Sequence, residues 1–396
     1  MSKFKLYTLI STICMLSVVL YSFIGFSQSP QASVRLISPP QTSQILPFEA
    51  GASTPQYPAK LTLQAVDSAG KPLENTKFNL KIFTPPKTPW FTTDFPIVEG
   101  TKLLDIETIA PKGQLQLEQM LPIRGNYQLN VNVTPLVTNA FTPIQQTLTL
   151  SVAENSVKYR NFGILAVVLL IVGLGGGWVI GGRQEITPGE IAPQRVRLLL
   201  SGAIVVAIAA LLFVNLSAEI AQSESSHTHT HDHHDHHTAV NEASSDNSGI
   251  ARQQGLEVQL LGSVSATVGE PAGVQVKVID QKTNQPAQDV LFNIKTTMLE
   301  DGWVSFAHQG IPNTTGEFTW EQGFFDGAPH KVEVEVAPQP NATRQFTPFL
   351  VQKIIDVEGV APPLTTRLIS LAYMTAFVII GLLIGLRLRQ NFLPNN

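Results

Sequence analysis

Residues 227–237 read HTHTHDHHDHH and hold seven of the nine histidines in the chain: His227, His229, His231, His233, His234, His236 and His237, with Asp232 and Asp235 between them. Neutral imidazole is the commonest protein ligand for zinc, copper and nickel ions. In an extended chain His227, His229, His231 and His233 share one side, and in a helical turn His233 and His237 share one. A tract of this kind reaches several coordination geometries, so it suits exchangeable binding of several ions rather than one rigid catalytic cage. The alternatives are a solvated low-complexity linker and a pH-sensitive tether.

No other motif carries comparable chemistry. Cys14 is the only cysteine and sits in the N-terminal apolar run, which excludes an intrachain disulfide, a zinc ribbon and a cysteine nucleophile. No glycine-rich phosphate loop follows a strand, and no nucleophile elbow appears, so catalysis is not expected. The two remaining histidines, His308 and His330, are secondary candidates for metal binding or docking, together with Asp326. Asp326-Gly327 reads as a tight turn, with His330 at the entry to the strand of Val332, Val334 and Val336; His330 either binds there or caps the strand with a hydrogen bond.

The elements that must position these groups follow from composition. The 396 residues are 43% hydrophobic and 14% charged, with a formal net charge of −4. Soluble domains are about a quarter charged, so membrane segments are expected, and the charge balance gives no basic surface for nucleic acid. Residues 6–26, 162–182, 198–216 and 364–386 are each apolar over about the 20 residues a span requires. The first is a signal peptide or a signal anchor. Lys3 and Lys5, then Arg183, Arg195 and Arg197, then Arg387 and Arg389 fall on one side of a four-span chain, which marks that side as cytoplasmic. Lys158, Arg160 and Arg367 fall on the other. Gly173, Gly177 and Gly181, and Gly381 and Gly385, recur at the four-residue spacing that lets helix backbones approach closely.

Both polar regions thus lie outside, and they resemble each other. LTLQAVDSAGKPLENTKFNLK (61–81) parallels VQVKVIDQKTNQPAQDVLFNIK (274–295), with Pro72 six residues before Phe78 and Pro286 six before Phe292. Residues 113–135 align without a gap on 316–338, and Phe141-Thr142-Pro143 and Phe346-Thr347-Pro348 follow. Leu129, Val131 and Val133 alternate with polar residues, as do Val332, Val334 and Val336, which is the period of half-buried strands. About seven short strands in roughly 100 residues predict an immunoglobulin-like sandwich in each region.

Strand–turn–strand with a proline in the turn, then Gly-x-x-x-x-Glu, then Asp326-Gly327-Ala328-Pro329-His330 before an alternating valine strand, resembles the bacterial membrane-anchored YtkA-like and FixH-like modules. The likeness covers residues 256–351 best and 57–152 less well. It implies an immunoglobulin-like fold, with copper handling or cytochrome oxidase assembly among the roles of such modules. The first region has Arg124-Gly125-Asn126-Tyr127 where the second has Asp326 to His330, so it cannot repeat whatever His330 does.

The expected architecture is mainly β with transmembrane helices. Its parts are a signal anchor or signal peptide (1–27), a first sandwich (28–160), a helical hairpin with a short cytoplasmic loop (161–217), a His-rich linker without fixed structure (218–250), a second sandwich (251–362), and a last span with a cytoplasmic tail (363–396). The expected role is that of a multi-pass inner-membrane protein of the cell envelope. Its linker would capture zinc, copper or nickel for a transporter or a metalloenzyme under assembly. The competing expectation is a scaffold whose sandwiches bind another protein.

Overall fold

The computed structural model describes residues 31–38, 44–49, 56–88, 93–182, 191, 193–206, 208 and 249–392. The first apolar run, the histidine tract and most of the C-terminal half of the third apolar run lie outside the described residues.

The alternating segments form strands because each has one apolar face to bury. In the first sandwich β1 (Ser33–Ser38), β2 (Ala59–Val66) and β5 (Gln114–Gln119) pack on β3 (Thr76–Phe83), β4 (Lys102–Ala110), β6 (Gly125–Pro135) and β7 (Ile144–Val152). In the second, β8 (Ile250–Gln253), β9 (Leu256–Gly262), β11 (Pro271–Asp280) and β14 (Glu317–Gly323) pack on β10 (Ser265–Thr267), β12 (Val290–Met298), β13 (Val304–Gly310), β15 (His330–Pro338) and β16 (Phe349–Glu358). Phe78, Phe292, Phe318 and Trp320 are all buried.

The aligned segments have matching neighbours. Both Asp-initiated turns close alike: Asp67 Oδ1 accepts from the Ala69 and Lys71 N–H groups, and Asp280 Oδ1 from those of Lys282 and Thr283. Gly70 and Asn284 supply the positive φ in the two turns, 82° and 54°, a conformation that glycine and asparagine tolerate best.

The sandwiches are not beads on a string. Each sheet runs through both, in the orders β1-β2-β5-β13-β12-β15-β16-β10 and β7-β6-β3-β4-β14-β11-β9-β8. At the seam, β5 pairs antiparallel with β13: Leu117 with His308, Glu118 with Ala307 and Gln119 with Phe306. On the other sheet β14 pairs with β4: Trp320 with Ile106, Glu321 with Asp105 and Gln322 with Leu104. Leu117, Glu118 and Gln119 are the residues that align with Trp320, Glu321 and Gln322, so the two seams are related by a pseudo-twofold. One continuous apolar core spans both halves, from Val34 to Val357. Pairing β5 and β4 with the other sandwich also removes exposed strand edges, which are aggregation-prone.

Two helices long and apolar enough to cross a membrane leave the same end of this double sandwich: α1 (Ser156–Ile180), four residues after β7, and a helix of Leu364–Phe392. Residues 194–206 form α2, so the Leu364–Phe392 helix is α3. At about 1.5 Å per residue, α1 and α3 are each longer than the roughly 30 Å of a hydrocarbon core. They run parallel and touch backbone to backbone. A Cβ on Gly173 would sit 2.1 Å from the Val378 carbonyl oxygen, and one on Gly177 2.1 Å from that of Leu382. Reciprocally, a Cβ on Gly381 would meet the Leu170 oxygen at 2.2 Å and one on Gly385 the Leu174 oxygen at 2.2 Å. Only glycine permits that approach.

Candidate functional site

His308 sits on β13 at the seam, wholly buried, and joins both sheets of the first sandwich. Its Nδ1 lies 2.8 Å from the Gln116 carbonyl oxygen on β5, and its Nε2 lies 3.2 Å from Thr108 Oγ1 on β4. A carbonyl oxygen can only accept, so Nδ1 carries the proton and Nε2 accepts from the Thr108 hydroxyl. Burial lowers its pKa to about 4, opposed by the hydrogen bond to Gln116. Both ring nitrogens of the neutral imidazole are engaged within the protein.

His330 opens β15 at the end from which the helices leave. Its Nδ1 donates to the Ala328 carbonyl oxygen at 2.8 Å, and burial lowers its pKa to about 4. Phe324 stands 4.6 Å from the ring and Trp303 5.8 Å, edge-on. Trp303 stacks on Phe325 at 5.0 Å. Phe48 and Phe95, from loops of the first sandwich, close on the same cluster, with Phe48 at 4.7 Å from Trp303 and Phe95 at 5.3 Å from Phe325. The Asp326 carboxylate accepts from the Gly327 N–H, 3.0 Å away, rather than from His330. Burial raises its pKa, reinforced by the charge of Asp301. His308 therefore belongs to the seam, while Asp326 and His330 belong to the helix-bearing end. Among the described residues no three His, Cys, Asp or Glu side chains gather as a metal cluster. The seven tract histidines lie outside those residues.

Where α1 meets the first sandwich, a cluster of charged and polar side chains ties the helix to it. Asn155 caps the helix by accepting from the Val157 N–H at 2.9 Å, and its Nδ2 donates to Glu49 Oε1 at 2.7 Å. Lys158 pairs with Asp94 and approaches Glu154 at 3.8 Å and Glu49 at 4.0 Å. Arg124 holds the buried Glu154. Lys158 is thus held among carboxylates of the sandwich.

A cleft of about 250 Å³ opens where β4 and β14 diverge beyond their three paired residues. Thr108, Phe318, Leu136 and Ile311 are among the residues that line it. Rim charges are matched within each sandwich, Lys77 with Glu107 at 2.6 Å and Lys277 with Glu317 at 3.0 Å. At the equivalent place beside β5 and β13 the His308 ring donates to the Gln116 carbonyl. Ile106, which occupies the place of His308 on the other seam, cannot form such a bond. The cleft could not be read from the sequence, since its two walls come from different sandwiches. The only local signal is the mismatch of Ile106 with His308 in otherwise aligned strands.

No protein-family model and no curated protein matches the sequence. Solved structures with similar backbones include a conjugative transposon lipoprotein from Bacteroides eggerthii (9% identity, 25% of this chain and 93% of that one, TM-score 0.18). The ASH/PapD-like domain 7 of human CEP192 is another (13% identity, 33% and 100%, TM-score 0.17). A third is the adhesin InvE of Yersinia pseudotuberculosis (10% identity, 83% and 61%, TM-score 0.18). The trypsin-activated alpha-2-macroglobulin of Escherichia coli also matches (8% identity, TM-score 0.21), and this chain spans only 16% of its length. With TM-scores this far below 0.5, none of these likenesses bears on function, and the chain stands as a mainly β protein of two immunoglobulin-like sandwiches with two membrane-length helices.

Proposed function

We propose that the chain is a non-catalytic docking protein of the bacterial cell envelope, in which a duplicated immunoglobulin-like unit forms one rigid frame outside the inner membrane and presents it to a protein partner. The observation that carries this reading is the continuity of both sheets across the seam, together with the tie between α1 and the first sandwich at Asn155 and Lys158. A frame that cannot flex between its halves holds loops and clefts in fixed relation, which favours binding by lowering the ordering cost. The sidedness is supported by the clustering of Arg183, Arg195, Arg197, Arg387 and Arg389. Photo-crosslinking amino acids at exposed sandwich positions such as Val137 and Thr319 test the reading in cells. Discrete adducts with one protein at a subset of positions are expected; absence of adducts at every position would refute it.

A second reading is favoured by the tract of His227, His229, His231, His233, His234, His236 and His237. The linker captures zinc, copper or nickel and delivers it to a transporter or metalloenzyme held by the frame, a role in keeping with the likeness to YtkA-like and FixH-like modules. Replacing all seven tract histidines with Ser should impair growth at limiting or toxic metal while leaving the photo-adducts intact. Unchanged metal handling would reduce the tract to a solvated linker.

A further inference from the structure

Exposed apolar side chains gather at the end of the double sandwich from which α1 and α3 leave. Leu46 is 50% exposed and follows Ile45, whose carbonyl oxygen accepts from the Ala153 N–H just ahead of α1. Tyr57 is 84% exposed and follows Gln56, which is bonded to Glu49; Glu49 in turn accepts from the Asn155 cap of α1. Leu299 is 42% exposed, and its N–H donates to the Pro329 carbonyl oxygen beside His330. Exposed Val360 begins the uncharged run VAPPL, residues 360–364, that leads into α3. An exposed leucine standing alone needs no explanation. These residues come from both sandwiches, and the continuous sheets place them on one end face.

The position of the bilayer follows from the helices. From Ser156, where α1 begins, to Phe162, the first residue of its long apolar run, the rise is about 9 Å. The apolar run of α3 begins at its first residue, Leu364. The headgroup layer is roughly 5–7 Å deep on each side of the hydrocarbon, so the end face stands at its outer boundary. Exposed Tyr159 on α1 lies within that layer, where tyrosine is favoured. We infer that this end face is a lipid-docking surface: Leu46, Tyr57 and Leu299 enter the headgroup layer of the membrane that α1 and α3 cross and hold the double sandwich upright on it. Apolar side chains at that depth are withdrawn from water. The lipid that suits the face is zwitterionic and amine-bearing, such as phosphatidylethanolamine. Exposed Glu300 and Asp301 follow Leu299 directly; their carboxylates are attracted by ammonium headgroups and repelled by a net anionic surface. Seated in this way, the frame carries Val137, just beyond the other end of β6, roughly 30 Å above the leaflet. The inference concerns how the frame sits and is independent of which protein it holds.

The test uses the full chain with Cys14→Ser in nanodiscs of phosphatidylethanolamine and phosphatidylcholine. Single nitroxides are placed at Leu46, Tyr57, Leu299 and, as the aqueous reference, Val137; unchanged melting temperatures verify folding. Collision rates with oxygen, which concentrates in lipid, and with a water-soluble nickel chelate are read by electron paramagnetic resonance. The oxygen-to-nickel ratio should be about threefold or more above that of Val137 at each of the three positions. In Leu46→Asp/Leu299→Asp the ratio at Tyr57 should fall toward that of Val137. It should also fall when phosphatidylglycerol replaces phosphatidylethanolamine. Ratios equal to that of Val137 at all three positions, or labels shielded from both reagents, would overturn the docking surface, as would a Tyr57 ratio indifferent to the double substitution. Equal ratios in the two lipids would overturn the choice of headgroup.

Discussion

Tyr127 and His330 occupy the same place in the two sandwiches and satisfy it differently. Tyr127 pairs with Leu150 across β6 and β7, as His330 pairs with Ile355 across β15 and β16. The buried Tyr127 hydroxyl donates to the Ile123 carbonyl oxygen at 2.7 Å and accepts from the Ile123 N–H at 2.9 Å. This is the tyrosine corner of immunoglobulin-like folds, and burial raises the phenol pKa. His330 is too short to span the same distance and bonds instead to Ala328, two residues away.

Tyr127→Phe strands the buried N–H and carbonyl of Ile123. The expected cost is about 2 kcal/mol, a fall of roughly 5 °C in melting temperature, read by differential scanning calorimetry of the detergent-solubilised chain. His330→Gln should cost less, because a Gln amide can still donate to a nearby carbonyl.

Acid should destabilise the sandwiches in a defined window. In the unfolded chain a histidine takes up a proton near pH 6.5, while folded His308 and His330 resist protonation until about pH 4. Their contribution is therefore fully present above pH 6.5 and is lost as pH falls toward 4, by up to roughly 3 kcal/mol for each group. Chemical-denaturation midpoints measured from pH 7.5 to 4.5 should decline below pH 6.5. The decline should be shallower in His308→Gln, and a profile flat to pH 4.5 would contradict the buried neutral state.

Gly177→Leu places a side chain where the Leu382 carbonyl oxygen stands 2.1 Å from a mere Cβ. The helices must separate. A nitroxide pair at Val172 and Ile380 in a Cys14→Ser background should give one short distance in the parent and a longer, broader distribution in the variant. The melting of the sandwiches should stay unchanged, because the sheets do not depend on the helix pair.

Much of the fold could be read from the chain because strands declare themselves by a two-residue period. Val332, Val334 and Val336 are buried with polar residues between them, and the paired Asp-turns fall where Asp67 and Asp280 lie. The glycine spacing of 173, 177 and 381, 385 marks helix faces on which backbones can meet, and in the structure they meet. Sheet continuity was not legible. It depends on β5 and β4 pairing with strands of a distant segment through only three residues on each sheet, and three residues leave no periodic trace. For the same reason His308 looks isolated in sequence, although its partners Gln116 and Thr108 lie nearly two hundred positions away. The aromatic cluster of Phe48, Phe95, Trp303 and Phe325 leaves no pattern in the sequence because its rings sit in loops, outside any strand period.

The central claim is that both sandwiches form one body. Pulsed electron–electron resonance between nitroxides at Thr149 on β7 and Gln253 on β8 tests it most directly, since these strands are the two outer edges of one sheet. With strands about 4.8 Å apart, the seven steps from β7 to β8 place the labels roughly 34 Å apart. A single narrow distribution near that distance, unchanged in the seven-histidine variant, is the predicted result. A broad or multiple distribution would mean that the sandwiches move independently, and would contradict the account.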